Sequence, residues 1–475
     1  MRLLFCLPTT ALSGGVKVIF ELANRLVDLE YSVDIFSFAG PPKWFSLKAR
    51  LVDAKDIEAI PMSSYDFVLV SNAFMLPLVL PRLDTARCIL FCQDYESFHH
   101  GRNGSFAHFL SDCPSFTEIY KLPAPIISIS RAVQSLLLER VARESFYLPM
   151  GINKTIFAPK PRKAPAENKR VLMVGNYLMP YKGMRDGFAA LNTLSLETKV
   201  QLVLVTQESR GRGILDDLPL PIELHFCPTE EEMPKIIASC DVYCCTSWYE
   251  GLGLPALEAF RCGVPVVSTA TYGVSDYGID GVNLLLARPN DPHDLYETLR
   301  RLLHDHDLAE QLRQSAFKTV ENDYDWETSV QAFTQILKQI DLTYQGAGSI
   351  SLQAMGKLME DLEEEGNLTP ISVFRQFQQL ASELSALIRR IISEGQPTPE
   401  SLSELQKLRD ELRLYLGNEK VEYYDSFKSQ YDLCQLILSL QNNVRCGEYL
   451  KLIMTRRTER EPRTTFSFSE IRYSN

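Results

Sequence analysis

The feature that most constrains this chain is a pattern that runs, breaks and restarts. Short apolar runs suited to buried strands, Leu3–Leu7, Val33–Phe38, Phe67–Val70, Cys88–Cys92 and Ile126–Ile129, alternate with amphipathic segments. In the segment Lys17–Leu29, Val18, Leu22, Leu26 and Leu29 fall on one helical face. The stretch Pro159–Lys169, rich in Pro, Lys and Ala, reads as a linker. The alternation then resumes with Val171–Val174, Val200–Val205, Ile222–Phe226, Val242–Cys245, Val264–Val267 and Val282–Leu286. Two successive βαβ series predict an α/β protein with two Rossmann-like, doubly wound domains facing a cleft. Ligands of such sheets bind beyond the carboxyl ends of the strands, so the site is expected in that cleft.

The 475 residues exceed one ordinary core, which agrees with several domains. After about residue 345 the character changes. Thr369-Pro370 and Thr398-Pro399 read as two helix starts, with Thr as N-cap and Pro in the first turn. Apolar stripes follow: Phe374, Phe377, Ala381, Leu384, Ile388 and Ile391; then Leu402, Leu405, Leu408, Leu412 and Leu416; then Tyr424, Phe427, Tyr431, Cys434 and Leu438. Gly395 and Gly417 stop the first two. These predict a C-terminal α-helical bundle, open to docking a protein partner or to self-association. The expected divisions are 1–158, 168–322, a cross-over helix 323–343, a helical appendage 350–455 and a polar tail 456–475.

A net charge of −11 argues against nucleic acid as the main partner, because phosphate neutralisation needs clustered Lys and Arg. The 11 cysteines, several in apolar runs, read as reduced and buried, in a cytoplasmic setting. Cys240 and Cys244 lack a partner pair at zinc spacing, and no acidic pair has metal spacing, so no metal is expected. No run reaches 18 apolar residues, and the N-terminus reads as a strand rather than a signal peptide. The run Lys43-Trp44-Phe45 with Lys48 and Arg50 has two readings: a peripheral contact with the inner face of a membrane, or a solvated face with a packed aromatic.

The stretch YEGLGLPALEAFRCGVPVVST, from Tyr249 to Thr269, carries the chemistry. A strand leads into a loop with Gly251 and Gly253, Pro255 suits the first helical position, and Gly263 ends the helix. Exposed backbone N–H groups and the helix dipole favour an anion there. Glu250 and Glu258 flank that anion site, and a carboxylate accepts paired hydrogen bonds from neighbouring hydroxyls. An anion between hydroxyl-rich groups describes a sugar nucleotide.

The Glu250–x7–Glu258 pattern followed by Gly263-Val264-Pro265-Val266-Val267 resembles the glutamate motif of family 4 retaining glycosyltransferases of the GT-B fold, also called glycosyl transferases group 1. The likeness covers roughly residues 1–340. Ser13-Gly14-Gly15 resembles the glycine loop near the donor diphosphate, and Lys182-Gly183 resembles the phosphate-binding lysine. Pro149-Met150-Gly151-Ile152-Asn153, with Phe157 and Pro159, resembles the link between domains, and Tyr324-Asp325-Trp326-Glu327 the start of the returning helix. Two positions depart. Asn176 stands where the family usually has Arg, and Gln93-Asp94-Tyr95-Glu96 stands where many members have His-Asp. The latter form resembles bacterial enzymes that move rhamnose in surface polysaccharides.

The resemblance implies transfer of a sugar from a UDP-, GDP- or dTDP-sugar to a glycan or glycan-lipid acceptor, with retention and without metal or other cofactor. It implies catalytic roles for Glu250 and Asp94, and donor contacts from Gly14, Gly15, Lys182, Asn176, Gly251, Leu252, Gly253 and Glu258. Three other readings stand beside it. One is a sugar-nucleotide epimerase of the same fold, and another a non-catalytic scaffold working through its helical appendage. The third is a nicotinamide oxidoreductase: Gly251-x-Gly253-x-x-Ala256 formally matches the dinucleotide fingerprint, with Asp276 as the acid, but it sits deep in the second domain and leaves Glu250 unexplained.

Overall fold

The computed structural model describes residues 1–343 apart from 38, 43, 53–56, 84–86, 101–105, 107–111, 113, 160–167 and 209–212, and, further on, 380, 383–384, 386–388, 390–391, 393–394 and 397–416. The chain divides into two compact units, Met1–Asp361 and Leu362–Asn475.

The first unit begins with β1 (Arg2–Leu7), α1 (Gly14–Asp28), β2 (Ser32–Ser37), β3 (Arg50–Leu51), β4 (Phe67–Val70), α2 (Leu76–Val79), β5 (Cys88–Cys92), α3 (Pro114–Lys121), β6 (Ile126–Ser128), α4 (Arg131–Val141) and β7 (Phe146–Tyr147). Its strands form a parallel sheet in the order β3-β2-β1-β4-β5-β6-β7. The next series is β8 (Lys169–Val174), α5 (Met184–Ser195), β9 (Val200–Thr206), α6 (Gly213–Asp216), β10 (Ile222–Phe226), α7 (Met233–Ala238), β11 (Val242–Cys245), α8 (Leu254–Cys262), β12 (Val266–Thr269), β13 (Leu285–Ala287), α9 (Pro292–His304), α10 (His306–Asp323) and α11 (Trp326–Thr343). These strands form a second parallel sheet, β10-β9-β8-β11-β12-β13. In both sheets the first strand of the series lies inside, so the order reverses beside it and a crevice opens at the strand ends.

Element ends differ from the periodicity where turn chemistry takes over. α1 begins at Gly14, not Lys17, because the Ser13 side chain accepts from Val16 N at 3.2 Å and caps the helix over two glycines. β12 begins at Val266 rather than Val264, since Gly263 takes a φ of 73° to end α8 and the next two residues complete the turn. β13 starts at Leu285 because residues 281–284 close a turn through Gly281 N to Leu284 O, 2.9 Å. The two-residue edge strands β3 and β7 are too short for a periodic signal.

One hydrophobic core joins the first sheet to α8 and α11. Phe5 of β1 stacks on Phe333 of α11 at 6.3 Å, and the Arg25 guanidinium lies 4.7 Å from the centroid of the Trp326 ring. Gly151 is pressed against Trp326: a Cβ there would meet its backbone N at 2.5 Å. A second core fills the face of the second sheet under α5 and α9.

In the second unit, Thr398 caps α12 (Pro399–Leu416), its hydroxyl accepting from Ser401 N at 3.2 Å. Leu384, Ile388 and Ile391 are buried, as are Leu405 and Leu408. Phe374, Phe377, Ala381 and the third stripe lie outside the described residues, as do Gly417 and the tail. No helix among the described residues is long and apolar enough to cross a membrane.

Trp44 and Phe45 pack on Phe20 at 5.7 and 5.4 Å, and Trp44 Nε1 donates to Thr10 O at 2.9 Å. Lys48 pairs with Asp28, and Arg50 with Asp34. These side chains are engaged by the protein itself; Lys43 lies outside the described residues.

Candidate active site

The loop after β11 turns on Gly253, whose φ of 90° favours glycine, and α8 follows with Pro255 as its second residue. Glu250 sits in that loop. Its Oε1 accepts from Ser247 Oγ at 2.6 Å and from Lys182 Nζ at 2.8 Å. Lys182 ends a 3₁₀ turn that is pinned to the same loop: Thr246 Oγ1 donates to Lys182 O at 2.7 Å, and Trp248 N to Tyr181 O at 2.7 Å. Gly183 permits this closeness, since a Cβ there would fall 1.9 Å from Thr246 O. Burial works against the Lys182 charge, but the adjacent Glu250 carboxylate outweighs it and raises the lysine pKa above its ordinary value.

The first sheet contributes the loop after β5. Gly251 lies on Gln93, where a Cβ would fall 2.0 Å from Gln93 O, and Tyr95 N donates to Tyr249 Oη at 2.6 Å. The Asp94 carboxyl that follows Gln93 is pushed up to about 6, chiefly by burial; Lys182 opposes the shift and Glu250 adds to it. Asp94, Lys182 and Glu250 therefore form one electrostatic group across the cleft.

The glycines of α1 meet the same place. A Cβ on Gly14 would fall 3.8 Å from Leu254 Cδ1, and one on Gly15 3.1 Å from the Gln93 carboxamide. The Gln93 Oε1 is buried there without a hydrogen-bond partner. Leu252 is buried in the core, leaving its backbone as the part that can meet a ligand. Glu258 is buried in α8 and accepts from Lys17 Nζ at 2.8 Å, a contact between residues 241 positions apart. Lys17 also lies 3.1 Å from Glu230 Oε1 and 4.3 Å from the centroid of the Phe157 ring. Burial lowers the Lys17 pKa, while Glu258 and Glu230 raise it, with a net rise. Burial pushes the Glu230 carboxyl up to about 7 against the pull of Lys17. Lys17, Asn153, Leu254, Glu258 and Trp326 line one hollow.

Asn176 is held differently. Its Nδ2 donates to Glu208 Oε2 at 3.2 Å and its Oδ1 accepts from Leu178 N at 2.9 Å. It follows Gly175, where a Cβ would fall 3.8 Å from the Lys182 stem, but its carboxamide is engaged with Glu208. Asp276 is not placed as a dinucleotide acid: its carboxylate binds the N-terminus of α4. Among the described residues, no three His, Cys, Asp or Glu side chains gather as a metal site.

Lys17 and Glu230 were not singled out by the sequence. Their roles arise from contacts between the two sheets' domains, and only Lys17 carried a local hint, two residues past Gly15 on α1.

Residues 156–319 match the family model described as glycosyl transferases group 1. Among curated proteins, the chain is 30% identical over 187 residues to an MMP alpha-(1->4)-mannosyltransferase of Mycolicibacterium hassiacum, covering 38% of this chain and 45% of that protein. It is 28% identical over 187 residues to a glycogen synthase of Mycobacterium tuberculosis, covering 38% and 44%. The chain thus spans about half the length of the curated relatives it matches. Among solved structures, it resembles sucrose-phosphate synthase from Thermosynechococcus elongatus with a TM-score of 0.61 at 18% identity, covering 72% of this chain and 99% of that one. It also resembles HepE of Anabaena, solved with UDP and glucose, with a TM-score of 0.58 at 18% identity, covering 71% and 100%. The two parallel sheets have the GT-B arrangement of these solved structures, and over residues 156–319 the chain is similar to the glycosyl transferases group 1 family.

Proposed function

We propose that this protein moves a sugar from a nucleotide-diphosphate sugar to a glycan or glycan-lipid acceptor, with retention and without a metal ion. The observation that carries the reading is the pairing of the two motif glutamates with lysines around a glycine-lined cleft: Glu250 with Lys182, and Glu258 with Lys17. Each lysine is a cation that an incoming diphosphate can claim, and each glutamate an acceptor that sugar or ribose hydroxyls can claim.

Glu258 takes the ribose and Lys182 the diphosphate. Backbone N–H groups at Gly14-Gly15 and Gly251–Gly253 complete the phosphate cradle. Glu250 holds the transferring sugar. As the bond to the diphosphate lengthens, Lys182 and the loop amides stabilise the growing negative charge, and the leaving phosphate helps to take the acceptor proton. Asp94 borders the sugar from the first domain, and its raised pKa keeps a fraction protonated near neutrality as a hydrogen-bond donor. Asn176 leaves the diphosphate with one cation fewer than the family pattern, which increases the share carried by Lys182. HepE, solved with UDP and glucose, supports a donor of this class.

The test is release of nucleoside diphosphate from UDP-, GDP- and dTDP-sugars, with and without EDTA and with glycan acceptors. Release from one donor, undiminished by EDTA, is expected. An epimerised donor, or no release from any of them, contradicts the proposal.

A further inference from the structure

The N-terminus of α4 is capped from the other domain. Arg131 N donates to Asp276 Oδ2 at 2.7 Å and Ala132 N to Asp276 Oδ1 at 2.9 Å. These first-turn amides have no partner inside their own helix, and a carboxylate there combines charge-assisted hydrogen bonds with a favourable place on the helix dipole. Ser130, the N-cap residue, is fully buried. Its hydroxyl accepts from Val133 N at 3.0 Å and donates to Gly251 O at 2.6 Å.

Both links lead to the donor loop. Asp276 ends the 3₁₀ turn Gly273–Asp276, and Gly273 N at its other end donates to Glu250 O at 2.9 Å. That turn lies directly on the loop, since a Cβ on Gly273 would fall 2.6 Å from both Glu250 O and Leu252 N. One helix end in the first domain therefore holds two consecutive carbonyls, Glu250 O through Asp276 and its turn, and Gly251 O through Ser130. Because a peptide unit is planar, fixing the Gly251 carbonyl also fixes the direction of the Leu252 N–H.

We propose that Ser130 and Asp276 are positioning residues for the donor loop: closing the cleft sets the Glu250–Gly253 backbone in its anion-facing arrangement, and opening the cleft releases it. This deepens the glycosyltransferase reading and rests on it for the loop's ligand. An open cleft leaves Arg131 and Ala132 N–H to water and frees the Gly251 carbonyl, so the phosphate cradle is complete only when both domains meet.

The full chain is tested with Asp276→Ala, Asp276→Asn and Ser130→Ala. Asparagine keeps one acceptor oxygen for the helix end, whereas alanine keeps none. Hydrogen exchange of the 250–254 segment, read by mass spectrometry, is expected to quicken in both alanine variants and to stay near wild type in Asp276→Asn. Donor hydrolysis is expected to lose about 10- to 100-fold in kcat/KM in Asp276→Ala, the scale of a lost charge-assisted bond, with recovery in Asp276→Asn. A contact that only glues the domains together would lower Tm without changing loop exchange, and that result overturns the proposal. If Asp276→Ala does not fold, unchanged loop exchange in Ser130→Ala overturns it. If loop exchange responds but the wild type releases no nucleoside diphosphate from any donor, the positioning stands and the glycosyltransferase reading falls.

Discussion

Lys182 is surrounded by constraints that leave it one direction to act. Its turn is tied to the loop at Thr246 and Trp248, and Glu250 holds its ammonium. With Asn176 turned to Glu208, Lys182 is the cation expected to bear most of the diphosphate charge. Lys182→Ala should weaken nucleoside-diphosphate binding about 10- to 100-fold in calorimetry; unchanged affinity would move the phosphate site elsewhere. Asp94 gives a pH signature. Burial holds its carboxyl up at about 6, above the ordinary aspartate range, so its contribution to stability is fully present below about pH 4 and is lost as pH rises through 6. Asp94→Asn should therefore raise Tm at pH 7.5 by about 2–8 °C, with the gain vanishing towards pH 4, while transfer activity falls. A pH-independent Tm difference would contradict that shift. That Glu250 and Glu258 flank one glycine loop was legible from their local spacing, whereas Lys182 came from the family resemblance. The partner of Glu258 was not legible: Lys17 reaches it across 241 positions, a distance at which sequence pattern carries no contact information.

At the scale of elements, the periodicity located the strands well and their ends less well. The core of β11, Val242–Cys245, is four buried residues and was read in place, whereas β12 and β13 lost their first residues to turns built on Gly263 and Gly281. α1 was read short because glycine is a poor helix former, and the Ser13 cap that overrides this acts through one hydrogen bond. Glycine matters most where two elements touch. Gly183 combines a φ of 55° with a Cβ position 1.9 Å from Thr246 O. Gly183→Ala should cost about 2 kcal/mol or more in stability, on the scale of a strained, overpacked site, and should weaken nucleotide binding by displacing Lys182. Denaturant melts and calorimetry would check both; a neutral substitution would mean that the turn relaxes without cost.

For the whole molecule, the cleft between the sheets concentrates every residue given a role in transfer, all within Met1–Asp361. Cutting the chain after Asp361 should therefore leave donor hydrolysis intact while changing oligomeric mass in light scattering or abolishing transfer to acceptor. Loss of solubility would show instead that Leu362–Asn475 completes the core. The two-sheet architecture was readable from the repeated βαβ series, whereas the C-terminal segment offered only apolar stripes, which do not identify the surface they cover.

The central claim is the division of labour between the two glutamates, and binding of free nucleoside diphosphate tests it most directly because that ligand carries ribose and phosphates but no sugar. Calorimetry should show weaker binding for Glu258→Gln. For Glu250→Gln, binding should be unchanged or tighter, since Lys182 then has no carboxylate competing with the diphosphate. Equal losses in both variants would contradict the division, and no loss in either would remove the Tyr249–Thr269 stretch from the active site.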